Sequence, residues 1–324
     1  MMNSKRLFVI MEITLAVLVI VLAFVMVREQ SGKDRCRVSV ILPDADSSQW
    51  SAFRYGLKTA AEDQGAELFV VSTGDKLTLE EEISLIRSEV GNGADAVIVQ
   101  PAPGDGAGQK LAEISKKVPI MLVGKPQTET EGDSLLPVTG PDDYAMGKAL
   151  AEEVLRDFNG NIEGKALGLA AQDMESVQAG ERRRGFLDAL QGRGTRTSWT
   201  VSLAAGDTDG GPLNNQSKTD LVIALDDTSL TEAGECTASR DLHGALLYGI
   251  GNSTEAVYFL DTGNAECLVV PDEFSRGYES LSETVEGLGN FFHKMESKVL
   301  SYTTIRRKEL FTKKNQEIIF TMSQ

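Results

Sequence analysis

From residue 38 onward, short apolar runs alternate with amphipathic stretches: RVSVIL, WSAFRYGLKTAAEDQG, AELFVV, LEEEISLIRSEVGNG, DAVIVQP, and so on through ECLVVP and GYESLSETVEGLGNFF. An apolar run without polar residues at every second place fits a strand buried on both faces, and the segments between show the period of a helix that covers one. Glycines end several of these helices. The pattern is that of βαβ units on parallel sheets, and there are too many strands for one doubly wound domain. The expected fold class is therefore α/β, with two doubly wound parallel-sheet lobes.

Ahead of this pattern lies LFVIMEITLAVLVIVLAFVMV, residues 7–27, which contains one charge, Glu12, and has about the length needed to cross a bilayer core. No A-x-A-like cleavage site follows it, and Lys33, Asp34 and Arg35 precede Cys36 where a lipoprotein would need small and apolar residues. The reading is one uncleaved transmembrane helix, with residues 1–37 as anchor and linker. Flanking charge leaves its orientation open: Lys5 and Arg6 stand before the span, while Arg28, Lys33, Arg35 and Arg37 stand after it.

Charge and composition narrow the function. The 32 basic and 48 acidic residues of the 324-residue chain give a formal net charge of -16, which repels phosphate backbones and argues against nucleic acid as a partner. Three cysteines without a CxxC pair, and only two histidines, argue against a zinc site. A Cys236–Cys267 bridge stays open beside the alternative of separate reduced thiols. The sequence holds no GxSxG, HExxH or GxxxxGK[ST] motif, so neither an enzyme nor a bound cofactor is expected.

One loop needs separate treatment. In PAPGDGAG, Gly104, Gly106 and Gly108 read GxGxG, close to the dinucleotide-binding GxGxxG. No acidic residue stands in a second-strand position where it would hold a ribose, so the loop is read as a chain reversal whose glycines supply unusual backbone angles. AGDTDGGPLNNQSK, residues 205–218, reads as an exposed loop, and TTIRRKELFTKKNQEIIFTM as returning strands.

The order of these segments resembles the periplasmic-binding-protein type I family, in its ribose-binding-like branch of extracytoplasmic solute receptors. VSVILPDADSSQWSAFRYGLKTAAEDQG is similar to that family's first strand, ligand loop and first helix; EEEISLIRSEVGNGADAVIVQPAP and VPIMLVGK are similar to the units that follow. VTGPDDYAMGKALAEEVL resembles the crossing into the second lobe, and Glu181, Arg182, Gly185 and Phe186 match a recurring E-R-x-x-G-F. DLVIALDD and LVVPDEFSRGYESLSETV complete the likeness, which covers nearly all of residues 38–324. The resemblance implies two lobes joined by a hinge, divided as 38–141 with about 272–300, and 142–271 with about 301–324.

It also implies where a ligand sits, at the loops beyond the C-terminal strand ends. Gap-free matching puts Ser47, Gln49 and Trp50 at the site, with the aromatic face against a sugar ring and the hydroxyl and amide as hydrogen-bond partners. Asp226 matches a polar ligand position, with capping of the next helix as its other role, and Asp142 divides between ligand, hinge and cap. Departures matter as much. Where sugar-binding relatives carry an Asp-Arg pair after the fourth strand, this chain has Gly124 and Lys125. Where they carry a ligand-binding Arg it has Gly180, and where they carry an Asp it has Gly251 followed by Asn252. The implied function is a membrane-anchored extracytoplasmic receptor for a sugar-like small molecule that delivers it to an ABC-type importer. The rivals are a co-receptor for a membrane sensor kinase and a lobe pair that has lost its ligand.

Overall fold

The computed structural model describes residues 35–74, 77–126, 135–203, 211–290 and 293–324, together with Leu15 and residues 17–19. The expected membrane span at 7–27 otherwise lies outside the described residues, and among those described no helix is long and apolar enough to cross a membrane. The compact unit from Arg37 to Gln324 holds everything that follows.

Two six-stranded sheets organise this unit. The first runs β11-β5-β4-β3-β1-β2, from β1 (Arg37–Pro43), β2 (Glu67–Thr73), β3 (Ala96–Val99), β4 (Ile120–Val123), β5 (Val138–Pro141) and β11 (Lys298–Leu300), all parallel. The second runs β12-β10-β9-β8-β6-β7, from β6 (Ala166–Ala171), β7 (Arg196–Ser202), β8 (Leu221–Ala224), β9 (Leu246–Ile250), β10 (Cys267–Pro271) and β12 (Tyr302–Arg306). Its strands are parallel except that β12 lies antiparallel on β10. The unalternated runs AVIV, IMLV, ALGLAA and LVIA are buried at every residue, as strands covered on both faces must be. The edge strand β2 is half-exposed, and there the sequence carries more polar residues.

The helices are α1 (Ser51–Gln64), α2 (Leu79–Gly91), α3 (Ala107–Ser115), α4 (Asp143–Asp157), α5 (Val177–Ala189), α6 (Asp227–Ser239), α7 (Thr254–Thr262), α8 (Glu273–Gly289) and α9 (Lys313–Met322). In each lobe one pair of helices crosses at glycines. Gly56 of α1 and Gly277 of α8 are so close to the facing helix that a Cβ on either would overlap the carbonyl of Phe274 or Phe53; Gly147 of α4 and Gly185 of α5 meet Arg182 and Tyr144 in the same way. The glycine and phenylalanine of the E-R-x-x-G-F motif thus have a packing role, since Phe186 is fully buried beside that crossing. The second sheet has apolar clusters on both faces. One gathers Met146, Phe186, Tyr248 and Cys267, the other Trp199, Leu230, Phe259 and Leu268. Cys267 and Cys236 accordingly associate with different clusters and both remain thiols, so the bridge left open by the sequence does not form.

Two sequence expectations change. The C-terminal stretch is not a run of returning strands. After β12 it makes a 3-10 turn at Arg307–Glu309 and then forms α9, whose Ile318, Ile319 and Met322 pack on the core of the second sheet at helical spacing. In the Gly-rich stretch 205–218, residues 211–214 form a single helical turn rather than loop, with Leu213 buried. The PAPGDGAG loop behaves as read: Gly106, at φ 72°, turns the chain into α3.

Candidate functional site

The chain passes between the sheets after β5, after β10 and between β11 and β12, and the C-terminal strand ends of both sheets border a cleft of about 710 Å³. That volume lies in the range of small-molecule sites. On the first lobe the wall is built by the turn after β1, the Gln100–Pro103 loop after β3, and Gly124 and Lys125 after β4. The second lobe supplies Gln172 and Asp173, Asp226 and Asp227, and Gly251 and Asn252.

Local rules fix these loops. After β1, Asp44 takes a left-handed φ of 41°, and its N–H donates to the Thr73 carbonyl; the chain then winds through Ser47 into the turn that places Gln49 and Trp50 at the cleft. Trp50 is only 7% exposed, with its Nε1 donating to the Pro43 carbonyl at 3.0 Å and its ring edge-on to Phe53. Most of its surface therefore packs the start of α1. Ser47 does not line the cleft, and its hydroxyl is buried with no hydrogen-bond partner.

The other sequence-derived candidates line the cleft. Asp142 caps α4, accepting from the Ala145 N–H at 2.8 Å. Asp226 caps α6 through Ser229 N–H at 2.8 Å, and its second oxygen accepts from Gln172 N–H at 2.7 Å, tying the ends of β8 and β6 together. Asn252 donates its Nδ2 to the Gln49 carbonyl across the cleft at 2.6 Å. Ser48 and Glu255 make a second cross-lobe bond at 2.9 Å, and Gln178 donates to the Lys125 carbonyl at 3.4 Å.

Two of the three glycines that stand where the resemblance implies charged residues have visible reasons. A Cβ at Gly124 would stand 2.8 Å from Gln178 Nε2 of the opposite lobe and 3.4 Å from Arg276 Nη2 of its own, so these two side chains fill that space. At Gly251 a Cβ would stand 2.9 Å from Asp227 Oδ1, because this carboxylate accepts the N–H groups of Asn252 and Ser253. Burial raises the Asp227 pKa, with Asp226 adding to the shift and those hydrogen bonds opposing it. Gly180 has open space around it.

Several cleft residues escape sequence reasoning. Arg276 projects from α8, pairs with Glu273 at 3.1 Å and donates to the Thr139 carbonyl. Arg182 reaches from α5 to Asp143 and the Leu225 carbonyl, both at 2.8 Å. Behind the Gln100–Pro103 loop, Glu82 is fully buried and accepts from the Ala102 N–H at 2.7 Å; desolvation pushes its pKa up to about 7. The i,i+3 spacing of Glu273 and Arg276 was a signal for that pair, whereas Glu82 had none. Away from the cleft, Glu283, Glu286 and His293 bring ligand atoms within 4.8 Å of one another. The Glu283 carboxylate there already meets His293, the Glu296 N–H and Lys298, which anchors the chain entering β11.

Two parallel-sheet lobes with a cleft between their C-terminal strand ends are the architecture of a two-lobed binding protein. A model of the periplasmic binding protein domain matches residues 38–286, and the chain belongs to that family. Its fold is similar to a carbohydrate transporter solute-binding protein from Agrobacterium radiobacter in complex with D-arabinose, at 17% identity and a TM-score of 0.76, covering 89% of this chain and 100% of that one. It is also similar to GanP, a glucose-galactose binding protein from Geobacillus stearothermophilus, at 17% identity and 0.71, covering 86% and 100%. The XylFII–LytSN complex gives 12% identity and 0.69, covering 85% and 98%. No curated protein sequence matches the chain.

Proposed function

We propose that the protein is an extracytoplasmic receptor that holds a sugar-like solute in the interlobe cleft, closes on it and presents the closed form to a membrane partner. The observation that carries this reading is the 710 Å³ cleft, walled by polar groups of both lobes at facing strand ends. A ligand that touches both walls is bound better by the closed arrangement and shifts the lobes toward it. Gln49, Lys125, Asp142, Asp226 and Asn252 are the side chains assigned to the solute, with Trp50 contributing an edge and Ser47 supporting the loop from behind. The lobes are 38–141 with about 272–300 and 142–271 with about 301–324, and the three crossings form the hinge.

The partner is an ABC-type importer, with residues 7–27 tethering the receptor to the membrane and the lobes outside. The likeness to the XylFII–LytSN complex favours a second reading, in which closure is passed to a sensor kinase. Thermal unfolding of the protein against a panel of pentoses, hexoses and polyols tests the binding reading. A solute at a hundred times its dissociation constant stabilises by roughly 2.7 kcal/mol. A saturable shift that is lost in Asn252→Ala and Asp226→Asn supports it, and a flat response to every sugar and polyol contradicts it.

A further inference from the structure

The charges in the cleft are unevenly matched. Its wall carries eight carboxyl side chains, those of Asp44, Asp142, Asp143, Asp173, Glu181, Asp226, Asp227 and Glu273, against four cationic ones, Lys125, Arg182, Arg276 and Lys298. Three of the four cations are already matched: Arg182 by Asp143 at 2.8 Å, Arg276 by Glu273 at 3.1 Å and Lys298 by Glu283 at 3.4 Å. Glu181 is taken by Arg184. Asp142 and Asp226 each face a helix N-terminus, which offsets about half a charge. Asp227 is spent on two backbone N–H groups.

Two carboxylates remain. Asp44 at the end of β1 and Asp173 at the end of β6 are exposed, and neither is in an ion pair or at a helix N-cap among the described residues; Asp173 accepts only the local Glu175 N–H. They come from opposite lobes. Against them stands Lys125 alone, which has no carboxylate partner among the described residues. The neutral groups add to the imbalance, because Gln100 lines the same wall with its Oε1 buried and without a partner. A wall richer in acceptors than in donors, within a chain of net charge -16, attracts donors and cations and repels anions.

We propose that the solute of this cleft is a polyhydroxylated compound bearing a protonated amine, of the amino-sugar class, with its ammonium held by Asp44 and Asp173. This rests on the reading of the cleft as the solute site and specifies its chemistry. Anionic sugars, the uronic acids and sugar phosphates, are excluded by the same carboxylates.

Titration calorimetry of the protein with matched sets tests it: glucose, glucosamine and glucuronate, then galactose, galactosamine and galacturonate. The amine is expected to bind at least tenfold tighter than its neutral counterpart, and the acid not at all. Asp44→Asn and Asp173→Asn are each expected to remove most of that tenfold preference. Asn tolerates the left-handed backbone at position 44, so that variant keeps the loop. Raising salt from 50 to 500 mM should narrow the preference. Equal affinity for amine and neutral sugar, or a preference for the acid, overturns the proposal and leaves the receptor reading standing. Failure of all six to bind overturns the proposal, and the receptor reading falls separately only if the wider sugar and polyol panel is also flat. A preference that survives both substitutions overturns the assignment to Asp44 and Asp173.

Discussion

Glu82 gives a prediction whose sign and size both follow from its surroundings. Its side chain is fully buried, one oxygen accepts from the Ala102 N–H, and the other has no partner. Desolvation raises its pKa from 4.5 to about 7, and the Ala102 bond only partly opposes this. Between these two values the folded protein holds a proton that the unfolded chain has released, so stability falls as pH rises through that window and the full cost is present above pH 7. Two and a half pK units correspond to about 3 kcal/mol. Glu82→Gln keeps the carbonyl acceptor for Ala102 and removes the titration. Thermal unfolding of both proteins at pH 5 and pH 8 checks this, because every other group cancels in the difference between them. At pH 5 the two should unfold within about 2 °C of each other. At pH 8 the variant should be the more stable, by on the order of 6–12 °C. A gap between the proteins that is the same at both pH values would refute the reasoning.

The remaining expectations concern the frame around the cleft. Gly185→Ala drives a methyl into the Tyr144 carbonyl at the α4–α5 crossing and should destabilise by about 2–3 kcal/mol in urea unfolding, whereas Gly180→Ala, in open space, should be neutral or slightly stabilising. Arg306 satisfies Glu153 and Asp157 together, and Glu153 is nearly fully buried. Arg306→Leu leaves Glu153 to Arg156 and Asp157 to the Tyr248 hydroxyl, and should cost about 1–3 kcal/mol by the same assay. Asn252→Ala removes the cross-lobe bond to Gln49, which is worth about 1 kcal/mol, and should shift the open-to-closed ratio roughly fivefold toward open, read by distance distributions between spin labels on the two lobes.

Much of this architecture was legible because burial on both faces leaves a direct mark on sequence. AVIV, IMLV and LVIA could only be covered strands, and their alternation with helical stretches gave two lobes. The E-R-x-x-G-F motif was visible as a pattern, but its reason, a backbone-to-backbone helix crossing at Gly185, required the partner helix. Asp226 reads as divided between cap and ligand, and Asp142 between ligand, hinge and cap; the caps are made, and both carboxylates still line the cleft. What stayed hidden depends on contacts between distant segments. Glu82 looks like one more acid in LEEEISLIRSE until the loop 20 residues later closes over it. The cross-lobe bond from Asn252 to Gln49, 203 residues apart, leaves no periodic trace. The helix at the C-terminus was missed because IIF has strand composition, and only its docking against Leu310 and the second-sheet core selects the helical face.

Closure of the two lobes on a solute is tested most directly by small-angle X-ray scattering of the compact unit Arg37–Gln324, titrated with whichever sugar gives the largest thermal shift. A radius of gyration that falls and saturates along the same curve as binding is the expected result. An unchanged radius at full occupancy would contradict a receptor that signals its ligand by closing.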